Sequence, residues 1–368
     1  MGTSFVINVP ATSANIGPGF DVMGLSLSLY LTVSADVETE QGSDMAAVTT
    51  ILPNRNITLM YEGENSGGLS LDPQANLITR TALYVLDCSG IKQFPHPTTV
   101  RVKNSIPLGR GLGSSGAAVV AGVLLANAVG SLRLTQQRML DYCLMIEHHP
   151  DNVAAALVGG FVASYLIDVD RSGNIPASEA DEAEVLQRER EQKAAAADGS
   201  IKLPPDNIGH FLQLECSPKI KAIAIIPQFE LATSKARAAL PGSYTTRDVV
   251  FNLQRLAVLT TALGRETPDP WLIYRAMEDK VHQPYRMHLV PGLPEILATF
   301  NPDNTPGLLG ICLSGAGPTI LALAVSNFDE IASKIRAVFD RQPNGGIATE
   351  YKVLDIVGEG ASCIESLR

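Results

Sequence analysis

The spacing of apolar and polar residues divides the chain into a succession of strand and helix candidates. Ser4–Val9 reads as a strand, and so does Leu27–Glu38, where Leu29, Leu31, Val33, Ala35 and Val37 occupy alternate positions. Ala75–Leu86, after Pro73, has helical spacing with Leu77, Ile78, Ala82, Leu83 and Leu86 on one face. A strand is predicted at Thr98–Asn104, then a glycine-rich loop and a helix from about Ser115 to Ala128. Thr135 is placed to cap a helix running to about His148, with Met139, Leu140, Cys143, Leu144 and Ile146 facing inward. Pro150 is expected to break that helix, Asp151 or Asn152 to cap a short one ended by Gly159-Gly160, and Phe161–Val169 to form a strand. The second half predicts strands at Phe211–Cys216, Lys221–Pro227, Gly310–Leu313, Thr319–Val325 and Tyr351–Val357, with helices at Asp248–Leu263 and Phe328–Asp340. Strands and helices mixed in both halves imply an α+β protein.

One segment breaks the pattern. Glu179–Lys193 carries nine charges in 15 residues and reads as a solvated insertion. With 368 residues in all, the expected division is a domain over 1–170, an insertion and linker over 171–207, and a second domain over 208–368. Hydrophobic residues at 45% against 18% charged give a sizeable core and exclude disorder over most of the chain. The net formal charge of −10 disfavours nucleic acid and anionic membrane surfaces as partners. The cysteines, Cys88, Cys143, Cys216, Cys312 and Cys363, are odd in number and scattered, which fits neither a zinc site nor a disulfide framework. Reduced thiols and a cytoplasmic location are the expectation. The longest apolar stretch, Ala117–Val129, is short of the roughly 18 residues of a membrane span. The start, without a basic region, is not that expected of a signal peptide.

Four segments carry candidate chemistry. Ile106–Gly116 places four glycines in its last eight residues, just before a helix. Glycine frees the backbone for positive φ, and the amides then converge at the positive end of the helix, which makes a phosphate cradle. Gly111-x-Gly113-x-x-Gly116 also matches the dinucleotide fingerprint, but a five-residue connection separates it from its strand and no acid follows at the right distance. A Walker loop fails for want of a lysine, and a tightly packed helix start is the structural alternative. Pro10–Asp21 leaves a strand, turns through Gly17, Pro18 and Gly19, and delivers Asn15 and Asp21 between apolar Ile16 and Phe20. It is either a plain loop or one packed into a cleft with amide and carboxylate toward a ligand. Leu313–Thr319 is a glycine turn between strands, either an ordinary hairpin or one pressed against another loop. In Glu147–Asn152 the adjacent histidines diverge, so a two-histidine metal site is not expected; Glu147 can take a hard cation, and Asp151 and Asn152 can cap a helix.

Together these segments resemble the GHMP kinase superfamily. Pro107–Gly116 looks like its phosphate-binding motif and Ser314–Thr319 like its C-terminal glycine motif, while Pro10–Asp21 and His149–Val153 are similar to the homoserine kinase branch. The resemblance implies an N-terminal ribosomal-protein-S5-like domain and a C-terminal ferredoxin-like domain with the active site between them. It implies ATP and L-homoserine as substrates and Mg²⁺ as cofactor. By motif match, Asp21, Asn152 and Thr233 would be catalytic, and Asn15, Asp21, His149, Asn152, Arg237 and Arg286 would bind the substrate. ATP would lie on Pro107, Gly109, Arg110, Gly111, Leu112, Gly113, Ser114, Ser115 and Gly116, with Asn76 near the adenine. Ser115 and Glu147 would hold Mg²⁺, with Asp141 as the fallback. Gly116 stands where the superfamily often has alanine, and the Glu147–His149 stretch is shorter than in many bacterial members. Another small-molecule GHMP kinase, of mevalonate or sugar type, and a catalytically inactive regulator on the same fold are the rival readings. A homodimer is left open.

Overall fold

The long antiparallel pair at the start of the chain sets the frame. β1 (Gly2–Asn15) and β2 (Gly19–Glu38) pair along their length, with register shifts after Pro10 and after Ala14. A computed structural model describes residues 2–38, 54–62, 69–167, 203–343 and 345–367. The charged insertion expected at Glu179–Lys193 lies outside the described residues.

β3 (Ile57–Glu62) runs parallel to β4 (Thr98–Asn104), which pairs with β2. β2 also pairs with β5 (Phe161–Leu166), and β5 with β6 (Gly209–Leu214). β11 (Ser362–Leu367) adds to β1 and completes a seven-stranded sheet. On this sheet pack α1 (Leu77–Cys88), α2 (Ser114–Val129), α3 (Gln136–Glu147) and α4 (Pro150–Val158). α2 is apolar all round and mostly buried, as a helix packed on several sides must be.

The second sheet has the order β10-β7-β9-β8, built from β7 (Lys221–Pro227), β8 (Leu308–Leu313), β9 (Ile320–Ala324) and β10 (Thr349–Asp355). Both of its faces are covered, so its inner strands are continuous apolar runs without polar alternation. Ala222, Ala224 and Ile226 of β7 join the core of the larger sheet. Ile223 and Ile225 face a second core with Ile331, Ile335, Val338 and Phe339 of α10 (Phe328–Asp340). The remaining helices are α5 (Thr233–Ala238), α6 (Thr246–Ala262), α7 (Pro270–Ala276), α8 (Gln283–Arg286) and α9 (Leu293–Thr299). No described helix is long and apolar enough to cross a membrane.

Two expectations need correction. β6 and β11 fall in the span assigned to the second domain, yet both hydrogen-bond into the larger sheet. The boundary at residue 208 therefore does not follow the sheets, because the chain returns to β1 at its end. Pro150 does not break a helix; it is the first residue of α4, where its missing N–H costs nothing. His149 is the N-cap, not Asp151 or Asn152, and α3 ends two residues before Pro150 at His148 in the left-handed region.

Gly24 of β2 lies directly under α4, where a Cβ would strike the Asp151 carbonyl and sit 2.7 Å from Ala155 Cβ. Gly24→Ala should therefore destabilise the protein by about 1–3 kcal/mol in urea denaturation. Gly242→Ala, where a Cβ meets open space, should stay within about 0.5 kcal/mol. Equal effects at the two positions would contradict the close packing of α4 on β2.

Candidate active site

The glycine loop before α2 is shaped by its backbone. Gly109, Gly111 and Gly113 all have positive φ, at 64°, 77° and 68°. Gly113 is the N-cap of α2, and no side chain caps that end. The first-turn amides and the helix dipole are therefore presented together, as an anion site requires. Ser115 is exposed in the first turn. A Cβ at position 113 would strike the Thr12 hydroxyl, so only glycine lets the loop lie on β1.

Three loops from distant parts of the chain are bonded into one block. Thr12 N–H donates to Leu112 O at 3.2 Å, and Ser314 Oγ donates to Gly111 O at 2.6 Å. That fixes the proton of Ser314, so the 2.8 Å contact between the Ser13 and Ser314 hydroxyls has Ser13 as donor. Gly315 N–H donates to Ala14 O at 3.1 Å, and Thr319 N–H to Arg110 O at 3.3 Å. The Ser314–Thr319 turn thus braces the other two loops, one of the two alternatives the sequence left open. Thr12 Oγ1 also donates to Asn152 Oδ1 at 2.7 Å, which ties α4 to the same block.

Charged groups gather beside this block. Asn15 and Asp21 both have positive φ, 74° and 55°. The Asn15 amide donates to Gly315 O at 3.0 Å and its oxygen accepts from Asp21 N–H at 3.1 Å. The Asp21 carboxylate takes both Nη atoms of Arg237, at 2.9 and 3.0 Å. Burial alone would make the Arg237 guanidinium easier to deprotonate, but Asp21 outweighs it and raises its pKa. His149 Nδ1 lies 2.8 Å from Asp151 Oδ1, and its Nε2 lies 3.6 Å from Glu147 Oε2. Burial pulls the His149 pKa down, yet the Asp151 carboxylate, helped by Glu147 and Asp21, lifts it to about 9. Asp151 in turn is held below its ordinary value: burial pushes it up, but the His149 charge prevails. Ligand-type atoms of Asp21, His149 and Asp151 lie within 4.8 Å of one another. Both acids are already paired within the protein, Asp151 with His149 and Asp21 with Arg237, so the trio reads as a charge-compensated cluster.

Arg286 is buried behind Asn15. Its Nη1 donates to Gly315 O at 3.2 Å and its Nε to Ala236 O at 3.1 Å. Burial first, then the nearby Arg237 charge, lower its pKa to about 10. Phe20 joins the two arginines, with guanidinium carbons 5.6 Å (Arg237) and 5.2 Å (Arg286) from its ring centroid. The structure therefore brings Asn15, Asp21, His149, Asn152, Arg237 and Arg286 into one connected cluster bonded to the glycine loop.

Some expected residues stand apart from that cluster. Thr233 opens α5 one turn before Arg237, is exposed, and makes no side-chain hydrogen bond among the described residues. Asn76 caps α1, accepting from Ile78 N–H at 3.1 Å and donating to Tyr61 at 2.8 Å, a structural task that leaves its amide little for adenine. Asp141, the fallback metal ligand, is buried and accepts from the amides of Asn207 and Ile208, each at 3.0 Å, with Arg138 alongside. Its carboxylate holds the entry to β6 and does not serve a metal. Sequence reasoning missed Thr12 and Ser13 as the bonding residues of the block. It also missed Asp151 as the partner of His149, and Asp279 and His282 beneath Phe20. The Asp279-x-x-His282-Gln283 spacing before a short helix was the available signal.

Residues 76–160 match the family described as GHMP kinases N terminal domain. The chain is 50% identical to a homoserine kinase of Schizosaccharomyces pombe, covering 97% of this chain and 98% of that one. It is 53% identical to a homoserine kinase of Saccharomyces cerevisiae, over 98% and 99%. Among solved structures, a homoserine kinase from Cytophaga hutchinsonii superposes with a TM-score of 0.70 at 25% identity, covering 98% of this chain and 97% of that one. A mevalonate diphosphate decarboxylase from Staphylococcus aureus shares the fold, with a TM-score of 0.60 at 12% identity over 99% and 98% of the two chains.

The two buried histidines give stability opposite pH slopes. His149, raised to about 9, contributes fully below its unfolded value of 6.5 and loses that contribution as pH rises through 9. His282 is lowered, by burial first and by Arg286, although Asp279 opposes the shift. Its contribution is present above 6.5 and falls away as the unfolded chain takes up a proton below that value. The urea midpoint should therefore peak near pH 6.5, falling on the alkaline side as the His149 contribution is lost toward pH 9 and on the acid side as the unfolded chain protonates at His282. His149→Gln should flatten the alkaline limb and His282→Gln the acid limb; unchanged limbs would refute both assignments.

Proposed function

The chain belongs to the homoserine kinase family, and from that premise we infer that this cleft transfers the γ-phosphate of ATP to the side-chain hydroxyl of L-homoserine, giving O-phospho-L-homoserine and ADP. The carrying observation is the juxtaposition of Asp21, Arg237 and Arg286 around Phe20, bonded through Asn15 and Gly315 to the glycine loop. Homoserine carries one ammonium and one carboxylate, which this set complements. Arg237 and Arg286 receive the carboxylate, for which a planar fork is the suited donor. Asp21 attracts the ammonium group and orients the hydroxyl, and His149, as an imidazolium, adds a donor beside it. Asn152 borders the loop with its carboxamide oriented by Thr12. Mevalonate and sugars bring no ammonium group for Asp21, which speaks against the rival kinase readings.

The phosphates of ATP lie, in this reading, on Gly109–Gly116. The uncapped start of α2 and the exposed Ser115 hydroxyl support this, since a phosphate and its cation supply what that end lacks. Ser115 and Glu147 are the residues to hold Mg²⁺, which neutralises charge on the β- and γ-phosphate oxygens when bound. No general base is needed in this scheme. A loose phosphoryl-transfer transition state rewards alignment of the hydroxyl and charge neutralisation over early deprotonation. The reading extends to a cytoplasmic enzyme supplying threonine biosynthesis, supported by family membership and by cysteines without zinc or disulfide spacing.

A coupled ADP-release assay should show turnover with homoserine and none with mevalonate or galactose. Asp21→Asn should lower kcat/KM for homoserine by roughly a hundredfold or more, and near-normal kinetics would remove Asp21 from the mechanism. Ser115→Ala should raise the Mg²⁺ concentration for half-maximal rate by about tenfold. An unchanged Mg²⁺ requirement would move the cation elsewhere.

A further inference from the structure

Beneath the cleft lies a polar cluster that none of the roles above uses. Asn252 and His282 are buried, at 6% and 0% exposure, and the Asp279 side chain is at 0%. Asp279 Oδ1 accepts from Asn252 Nδ2 at 2.7 Å, while its Oδ2 accepts from the amides of His282 at 3.0 Å and Gln283 at 2.7 Å. Asn252 Nδ2 also lies 3.3 Å from Pro18 O. These bonds fix the backbone entering α8 and dock it against the Gly17-Pro18 turn.

The His282 ring is then bonded at both nitrogens. Nε2 lies 2.8 Å from Gly17 O, a carbonyl that only accepts, so Nε2 carries the proton. Nδ1 is left with its lone pair and lies 3.3 Å from Arg286 Nη1, which only donates. One tautomer satisfies both partners. The ring also stacks on Phe20, with centroids 5.5 Å apart and planes at 25°. Arg286 is thereby held at Nε by Ala236 O and at Nη1 by Gly315 O and His282. Nη2 is the guanidinium nitrogen with no protein partner among the described residues.

We propose that His282, in its Nε2–H tautomer, is a positioning residue that orients Arg286 so that Nη2 is left for the carboxylate of the amino-acid substrate, and that it locks this orientation to the Gly17–Asp21 segment. The proposal rests on the reading that Arg286 binds that carboxylate. His282 is fully buried and touches no substrate itself; it acts through Arg286. Its effect is therefore confined to the part of the substrate that Arg286 meets.

The test compares homoserine with aminopropanol, which is homoserine without its carboxylate. His282→Phe keeps an aromatic ring against Phe20 and removes both hydrogen bonds. It should lower kcat/KM for homoserine by roughly tenfold to a hundredfold, as loss of an oriented charged hydrogen bond does. KM for ATP should be unchanged, and so should kcat/KM for aminopropanol, or its inhibition constant where turnover is too slow. His282→Gln, which can donate and accept from one side chain, should recover part of the loss, and it carries the comparison alone if the phenylalanine variant does not fold. An equal loss on both alcohols, a parallel rise in KM for ATP, or no loss on either would overturn the proposal. Arg286→Gln is the control for the underlying reading: if it too affects both alcohols alike, Arg286 does not bind the carboxylate, whatever His282 does.

Discussion

A buried hydroxyl pair holds the cleft together. Ser13 donates to Ser314, and Ser314 donates to the carbonyl of Gly111. Three segments separated by some hundred residues or more in sequence meet on those two bonds. Each belongs to a different part of the fold: the first is the end of β1, the second precedes α2, and the third joins β8 to β9 of the other sheet. Both serines are fully buried, so each bond removed would leave a desolvated polar atom, and the penalty falls on the alignment of all three loops at once. Asn15 and Arg286 converge on Gly315 O because Gly315 is pinned by this pair.

The glycines in these loops are required by contact as much as by φ. Gly111 faces the Ser314 carbonyl and Gly113 the Thr12 hydroxyl, both closer than any Cβ could approach. Backbone is thus brought against backbone, and the amides at the start of α2 stay available to an anion. The two halves of the proposed site are set on one bonded unit. In the proposed function phosphates would meet the glycine loop and the amino acid Asp21 and the arginines, at a distance fixed by bonds that neither ligand needs to make.

Much of the frame was legible because it is patterned. β4, β7 and α10 lie where apolar periodicity predicts them, at Thr98–Asn104, Lys221–Pro227 and Phe328–Asp340. β11 was not, because all six of its side chains are exposed and its stability comes from ladder bonds to β1, which leave no hydrophobic trace. α5 and α7–α9 are four to seven residues long, too short for a period to show. At the site, motif residues with unusual backbone needs could be read from the sequence, since glycine and asparagine announce positive φ. Asp141 could not be judged: a carboxylate on a helix looks the same whether it faces a metal or, as here, two backbone amides just before a distant strand. For His282 the Asp279-x-x-His282 spacing marks a helix entry and nothing more, since its partners lie in the β1–β2 turn, at Phe20 of β2 and on its own helix.

The net charge of −10 is no obstacle to an anionic cosubstrate, because the acids of the cleft are paired and Arg286 stands with only neutral partners. Arg237 holds Asp21, and His149 lies between Asp151 and Glu147. A cation buried alone would bear the full cost of desolvation, whereas a partner offsets part of that cost. An entering zwitterion fits this arrangement: its ammonium can take over from Arg237 at Asp21 while its carboxylate takes over from Asp21 at the arginines. The cleft then ends with the same net charge it began with, and each protein charge exchanges one partner for another. A ligand with only one of the two charges would break the Asp21–Arg237 pair and leave one member unpaired. If Asp21 and the arginines take the roles proposed for them, selectivity for an amino acid over a simple alcohol or acid follows from the resting structure, before any contact with the hydroxyl that reacts.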